Sequence, residues 1–145
     1  MADDPLAVVA RQRYDASPEL VFHAFTDPDV LVRWFSPGAD IHVDVLVHEL
    51  RPGGRYRFRY REPDGTVSIV AGVFCAIVPP SRLAFTWTWE PPDVHAGVAT
   101  LVTVDIAADG SGTVVVVTHE RFPDEPSRAR HAQGWRSTLA RLVTR

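Results

Sequence analysis

Histidine is the side chain of this sequence best suited to acid–base or metal chemistry, and six histidines are present. Imidazole exchanges a proton near neutral pH and also binds metal ions. The candidates for an acid–base pair are Glu90, His119 and His131, each in a segment that also carries large aromatic rings. The histidines lack metal-ligand spacing, and no His-x-Glu or Cys-x-x-Cys pair occurs, so no metal site is predicted.

Motifs for nucleophilic catalysis and phosphate binding do not occur in the sequence. There is no Gly-x-Ser-x-Gly elbow, and the single Cys75 lies in an apolar segment where we expect it to be buried and inert. The Gly53-Gly54 and Gly110-x-Gly112 turns lead into predicted strands, whereas a phosphate loop leads into a helix. The sequence therefore predicts no cofactor.

Aromatic side chains alternate with other residues in two segments, at residues 55–61 and 83–89. Side chains of a strand point to opposite faces in turn, so each segment presents its rings to one face. A ligand pocket is mostly apolar with a few polar groups, which tyrosine and tryptophan supply. The alternative is that the rings fill the core completely. The residues predicted to line a ligand cavity are Trp34, Phe35, Phe58, Tyr60, Trp87, Trp89, His119 and Trp135.

Four arginines, Arg55, Arg57, Arg59 and Arg61, form the opposite face of the first of these segments. One interpretation is a solvated outer face whose guanidinium groups pair with acidic neighbours, and the other is a site for an anionic partner. The formal net charge of −3 favours the first and argues against nucleic-acid binding. Such a face is compatible with a homodimer, although no residue demands one.

The elements that must position these side chains have clear start signals. Ser17-Pro18-Glu19 and Asp27-Pro28-Asp29 each combine a capping side chain, a proline at the first helical position and a carboxylate near the positive helix end. They predict two short helices after a first strand over residues 6–14, the second ending at Ser36-Pro37-Gly38.

From Ile41 onward the hydrophobic period is two, and turn signals recur near residues 51–54, 63–65, 79–81 and 109–112. The long uncharged run over residues 65–81 predicts a buried strand in which Gly72 marks a bulge or bend. A closing helix from about Pro126 carries an apolar stripe formed by Ala132, Trp135, Leu139, Leu142 and Val143. Strands followed by a helix indicate an α+β fold, with the helix covering one face of an antiparallel sheet of about six to seven strands.

Several short motifs, in this order, resemble the START and Bet v 1-like (SRPBCC) superfamily, and more narrowly its bacterial branch named after the heat-shock-protein-90 ATPase activator. The resemblance covers about residues 7–144, with Ala76 departing from an acidic residue expected there. The matching motifs are Ser17-Pro18-Glu19-x-Val21-Phe22, Thr26-Asp27-Pro28 through Trp34, Leu50-Arg51-Pro52-Gly53-Gly54, Asp64-Gly65, Gly72, Pro79-Pro80-x-Arg82-Leu83, Thr86-Trp87, Gly112-Thr113, His119 and Gly134-Trp135.

The resemblance implies a helix-grip fold, a curved sheet wrapped around a long C-terminal helix, with an apolar cavity between them. It implies binding of a small hydrophobic molecule, such as a lipid-, polyketide- or aromatic-like compound, without fixing one chemistry. The alternatives are an enzyme using the same cavity, either a cyclase or aromatase or one with hydrolase-type chemistry without a metal, and a chaperone-interacting protein. A chaperone partner is not expected, because the chain has no room for the activator's additional N-terminal domain.

Length and composition place the chain in one domain. Its 145 residues suit a single domain over residues 1–145, with residues 1–6 forming a flexible N-terminus. The acidic start lacks the features of a signal peptide, and the single cysteine suits a reducing compartment, so we expect a cytoplasmic location. The longest uncharged run is too short for a membrane helix, and no membrane insertion is predicted.

Overall fold

The computed structural model describes residues 4–142. Seven strands and three helices follow one another in the order that the sequence predicts, with a first strand, two short helices, six further strands and a closing helix. They are β1 (Val8–Tyr14), α1 (Pro18–Thr26), α2 (Pro28–Trp34), β2 (His42–His48), β3 (Arg55–Arg61), β4 (Val67–Val78), β5 (Arg82–Trp89), β6 (Thr100–Asp109), β7 (Gly112–Glu120) and α3 (Glu125–Leu139).

All seven strands form one antiparallel sheet in the order β1-β7-β6-β5-β4-β3-β2. Strands β2 to β7 therefore make a continuous meander, and β1 closes the series by pairing with β7, with Val8 opposite His119. The Tyr14 hydroxyl donates a hydrogen bond to the Leu139 carbonyl (2.6 Å), which ties the end of α3 to β1. This is the predicted α+β helix-grip architecture, with seven strands.

The helix starts lie where their capping residues predict them. The Ser17 hydroxyl accepts a hydrogen bond from the Leu20 amide (3.2 Å), and the Asp27 carboxylate accepts one from the Asp29 amide (2.8 Å). These side chains satisfy amides that have no partner inside the helix.

The end of α3 differs from the prediction. The helix ends at Leu139, so Leu142 lies beyond it, although Leu142 is still buried. The predicted stripe residue Val143 lies outside the described residues.

The alternation in β3 is the one that the sequence predicts. Tyr56, Phe58 and Tyr60 are buried, while the four arginines lie on the other face. In β5, Leu83, Phe85 and Trp87 are buried on the same side of the sheet. The rings form one continuous core with those of α1, α2 and α3.

Strand β4 is less buried than predicted. Only Val70 and Phe74 of this strand are fully buried, because the outer face of the sheet carries no covering layer in the described chain. The bulge lies between Phe74 and Ala76, so the extra residue is Cys75, and that thiol is exposed rather than buried. Gly72 has another role, because a β-carbon there would lie 2.0 Å from the Thr86 carbonyl oxygen.

The N-terminal segment enters the fold through a turn. The predicted flexible segment over residues 1–6 begins outside the described residues; from Asp4 onward the backbone is held by bonds to the Asp4 side chain and carbonyl. Within residues 4–142, no helix is long and apolar enough to cross a membrane.

Candidate functional site

A cavity of about 230 Å³ lies between α3 and the inner face of the sheet. The aromatic part of its wall consists of Phe35 from the end of α2, Tyr60 from β3, Trp87 and Trp89 from β5, and Trp135 from α3. The remaining wall residues are Pro37, Ile41, Glu62, Ser68, Arg130, His131, Gly134 and Thr138. The wall is thus largely apolar with a few polar groups, which is typical of a small-molecule site.

One face of α3 forms the helical side of the cavity. His131, Gly134, Trp135 and Thr138 lie three, four and seven positions apart, which places them along a single stripe of the helix. Gly134 leaves a gap in this stripe, because a β-carbon built there meets no heavy atom within 4 Å. Part of the open volume therefore exists because a residue in the middle of a helix has no side chain.

His119 lies behind the wall, in a chain of buried hydrogen bonds. The Trp135 indole N–H donates to His119 Nδ1 (3.0 Å), so the ring proton is on Nε2 and faces the Thr100 hydroxyl (2.7 Å). The Thr100 hydroxyl in turn donates to the Trp87 carbonyl (2.7 Å). The ring has no solvent exposure, and burial lowers the pKa of His119 well below its ordinary value.

His131 lines the cavity itself and is bonded in a similar way. The Trp89 indole N–H donates to His131 Nε2 (2.9 Å), and His131 Nδ1–H donates to the Ser127 carbonyl (2.7 Å). The pKa of His131 is lowered to about 4, mainly by burial and also by the neighbouring Arg130 and His95, while the Ser127 bond and Asp93 act in the opposite direction. The two imidazoles, 5.0 Å apart, are therefore both neutral at physiological pH.

Trp87 differs from the other two indoles of the wall, Trp89 and Trp135, in the hydrogen bonding of its N–H. Its ring packs edge-on against Trp89 at 5.5 Å and lies 6.1 Å from Trp135. The indole Nε1–H is buried and has no acceptor among residues 4–142. Buried donors without an acceptor are rare in native proteins.

A two-point ion pair between α3 and the loop that joins β5 to β6 borders the mouth of the cavity. Arg130 lies over the Trp89 ring, 4.5 Å from its centroid, and both of its terminal nitrogens bond the Asp93 carboxylate at 2.8 Å. His95 from the same loop lies 3.1 Å from Arg130. This arrangement positions the Trp89 ring and leaves the Arg130 charge compensated.

Of the predicted cavity residues, Phe35, Tyr60, Trp87, Trp89 and Trp135 line the cavity, and the acid–base candidate His131 joins them. Trp34, Phe58 and His119 do not line it.

The reasons for the three absences differ. The Trp34 indole donates to the Ala24 carbonyl (3.0 Å), which holds its ring among the residues of α1. Phe58 borders a separate void of only about 20 Å³ deeper in the core. His119 is separated from the open volume by its bond to Trp135.

Glu90, the third acid–base candidate, faces away from the cavity. Its carboxylate forms a two-point pair with Arg57, at 2.8 and 2.9 Å, on the outer face of the sheet. The other three arginines of the stripe are paired as well, Arg55 with Glu49, and Arg59 and Arg61 with Asp44. The stripe is therefore a solvated outer face with acidic neighbours, as the first of the two interpretations predicts.

Sequence reasoning missed three wall residues that matter for the shape and charge of the cavity, Gly134, Arg130 and Glu62. A signal for Gly134 was available, since a glycine inside a predicted helix requires a reason. Within the described part of the chain, no three His, Cys, Asp or Glu side chains form a potential metal-binding group.

The fold and its cavity define a helix-grip protein of the START and Bet v 1-like type. The sequence profile of the family described as "Activator of Hsp90 ATPase homolog 1-like protein" matches residues 15–145. The chain belongs to this family. A comparison with curated proteins gives no match.

Solved structures agree with this assignment at the level of the fold. Protein CV1439 from Chromobacterium violaceum is 24% identical, with a TM-score of 0.81 and 93% of each chain covered. The AHSA1 (SPO3351) protein from Silicibacter pomeroyi gives the same identity, TM-score and coverage. The AHSA1-like protein from Aeromonas hydrophila is 23% identical, with a TM-score of 0.76, covering 93% of this chain and 88% of that one.

Proposed function

We propose that this protein binds a small hydrophobic molecule in the cavity between α3 and the sheet. The observation that carries the proposal is an open, aromatic-walled volume of about 230 Å³ whose helical side is left open by Gly134. Glycine in a helix interior is less favourable than alanine by roughly 1 kcal/mol. An open volume that is kept at such a cost, in a core otherwise filled by rings, is better suited to a ligand than to packing.

The bonding of the two histidines favours binding over catalysis. A general acid or base needs a ring nitrogen within reach of the reacting group. Both nitrogens of His131 and both of His119 are already occupied by protein partners. Glu90 is on the outer face. None of the three predicted acid–base candidates therefore has a free proton-transfer group facing the cavity, which favours binding over the cyclase or aromatase alternative.

The experiment is a screen of the purified protein against fatty acids, flavonoids, small aromatic polyketide-like compounds and sterols. Melting temperature and tryptophan fluorescence are both recorded, because the wall contains three indoles. A ligand that binds only the folded state stabilises it by about 2.7 kcal/mol at one hundred times its Kd.

Gly134→Leu provides the cavity-blocking variant, since its side chain extends from a position with open space around the β-carbon. Gly134→Ala is the matched control, which changes the same residue and leaves most of the volume open. We expect the leucine variant to fold and to lose the ligand response, while the alanine variant keeps it. Equal responses in both variants, or no response to any class, would contradict the proposal.

The family name carries a second candidate function, stimulation of a heat-shock-protein-90 ATPase. It is tested by adding the protein to such a chaperone and measuring ATP hydrolysis. Stimulation that persists in Gly134→Leu would place the function outside the cavity.

A further inference from the structure

Among the three indole N–H groups of the wall, only one has no acceptor in the described chain and is therefore a candidate for a hydrogen bond to a ligand. The N–H groups of Trp89 and Trp135 donate to His131 and His119. The Trp87 N–H is buried without an acceptor in the described chain, although its ring borders the cavity. The ring borders the cavity while the N–H does not reach it, so a molecule in the cavity can supply the missing acceptor if the ring shifts on binding.

We propose that the cavity takes a neutral molecule of one or two rings, whose carbonyl-type oxygen accepts a hydrogen bond from the Trp87 indole N–H. This inference rests on the proposed function and adds to it the size, charge and polar group of the ligand.

The size follows from the volume. A cavity of 150 Å³ holds one benzene ring, and drug-sized ligands occupy roughly 300–1,000 Å³. The 230 Å³ cavity lies between these values and has room for one or two fused rings. A four-ring sterol is too large for it.

The shape of the wall favours a flat ligand. Trp87 and Trp89 meet at 88° and Tyr60 lies 6.0 Å from Trp89, so several ring faces and edges border the same volume. Aromatic rings prefer such offset and edge-to-face contacts. The Trp87 N–H itself is shielded from solvent, so a ligand that pairs it must shift the ring toward the open volume that the ring borders.

The charges of the wall favour a neutral ligand over a carboxylate. Arg130 is the cationic side chain among the described wall residues, and both of its terminal nitrogens are bound to Asp93. His131 uses both ring nitrogens in protein bonds. Glu62 adds a carboxylate at the rim, which repels an anion.

Three compounds of nearly equal size and shape separate these features: 2-ethylnaphthalene, 2-acetylnaphthalene and 2-naphthoate. The first has no acceptor, the second has a neutral one and the third has a charged one. Their Kd values are measured by tryptophan fluorescence with the intact protein and with two variants. Trp87→Phe removes the unpaired N–H and keeps an aromatic ring, whereas Trp89→Phe removes an N–H that is already bonded to His131.

We expect the preference for the ketone, written as the Kd of 2-ethylnaphthalene divided by that of 2-acetylnaphthalene, to fall about three- to tenfold in Trp87→Phe. In Trp89→Phe both Kd values rise together and the ratio stays within about twofold. 2-Naphthoate binds at least about tenfold more weakly than the ketone.

Other outcomes identify which proposal fails. If the hydrocarbon and the ketone both bind and their ratio is the same in Trp87→Phe, the inference is wrong and the proposed function stands. If the naphthoate binds as tightly as the ketone, the neutral-ligand part is wrong. If none of the three binds while a larger compound does, the size part is wrong, and if nothing binds, the proposed function fails as well.

If the Trp87→Phe variant does not fold, the proposal can still be tested on the unsubstituted protein by NMR. In the ¹⁵N-labelled protein, the Trp87 indole proton should move further downfield with 2-acetylnaphthalene than with 2-ethylnaphthalene, because only the ketone offers an acceptor. An equal shift with both compounds would overturn the assignment of Trp87 as the donor.

Discussion

Acidification from pH 7 to pH 5 is expected to destabilise this protein through His119 and His131. Burial lowers the pKa of His131 to about 4 and that of His119 well below its ordinary range, while in the unfolded chain both lie near 6.5. Below pH 6.5 the unfolded state therefore binds two protons that the folded state does not. The free energy of unfolding falls as the pH falls, and the contribution is present in full only above pH 6.5.

The two pKa values of His131, about 4 folded and 6.5 unfolded, set the size of its effect. Integration of proton binding between pH 7 and pH 5 gives a loss of about 1.8 kcal/mol from this residue. His119 acts in the same direction, because burial also lowers its folded-state pKa. The loss from His131 alone is a substantial part of a stability that is usually about 5–15 kcal/mol. His48, whose pKa burial also lowers, acts in the same direction.

The assay is urea unfolding followed by tryptophan fluorescence at half-unit steps from pH 7 to pH 5. The paired carboxylates lose their contribution only at lower pH, so this window isolates the histidines. His131→Gln or His119→Gln removes one proton-binding group, and each variant is expected to reduce the pH slope. His42→Gln, which removes an exposed imidazole, is the control. A free energy of unfolding that is constant between pH 7 and pH 5 would refute the assignment of two buried neutral rings.

Three further predictions concern stability. Gly134→Ala should raise the free energy of unfolding by about 1 kcal/mol in a denaturant titration, because a better helix former enters open space; a loss of stability would show that the space is not open. Gly72→Ala should severely reduce the soluble yield, since its β-carbon would lie 2.0 Å from the Thr86 carbonyl oxygen, and a normal melting curve would contradict that close approach. Arg57→Ala should shift the melting temperature by less than about 3 °C, because its pair with Glu90 is half-exposed and screened by solvent; a larger drop would mean that the outer pair is structurally important.

Local rules predicted the elements of this fold well. The capping residues Ser17 and Asp27 act on amides within three positions, and the alternation in β3 follows from strand geometry alone. Such signals involve only neighbouring residues, so one sequence suffices to detect them. The end of α3 was less predictable. Leu142 lies beyond the helix but is buried, so the apolar pattern continues past the last helical residue.

Which side chains line the cavity depends on contacts between elements that are distant in sequence. The sequence predicted these residues less well than it predicted the helices and strands. Trp34 and Phe35 are adjacent, yet one is fixed in the core by the Ala24 carbonyl and the other lines the cavity. His119 points inward, as its strand position indicates, but Trp135 separates it from the open volume. Periodicity assigns a face to each side chain; it carries no information on which ring lies in front of which.

The pairing of β1 with β7 affects how the chain can fold during synthesis. Val8 meets His119, about 110 residues further along, whereas each of the other strands pairs with its neighbour in sequence. At translation rates of about 5–20 residues per second, β1 waits roughly 5–20 seconds for its partner strand. The meander from β2 to β6 is complete before that moment. Strand β1 is therefore made before its only partner in the described sheet, and it joins the sheet no earlier than β7 does.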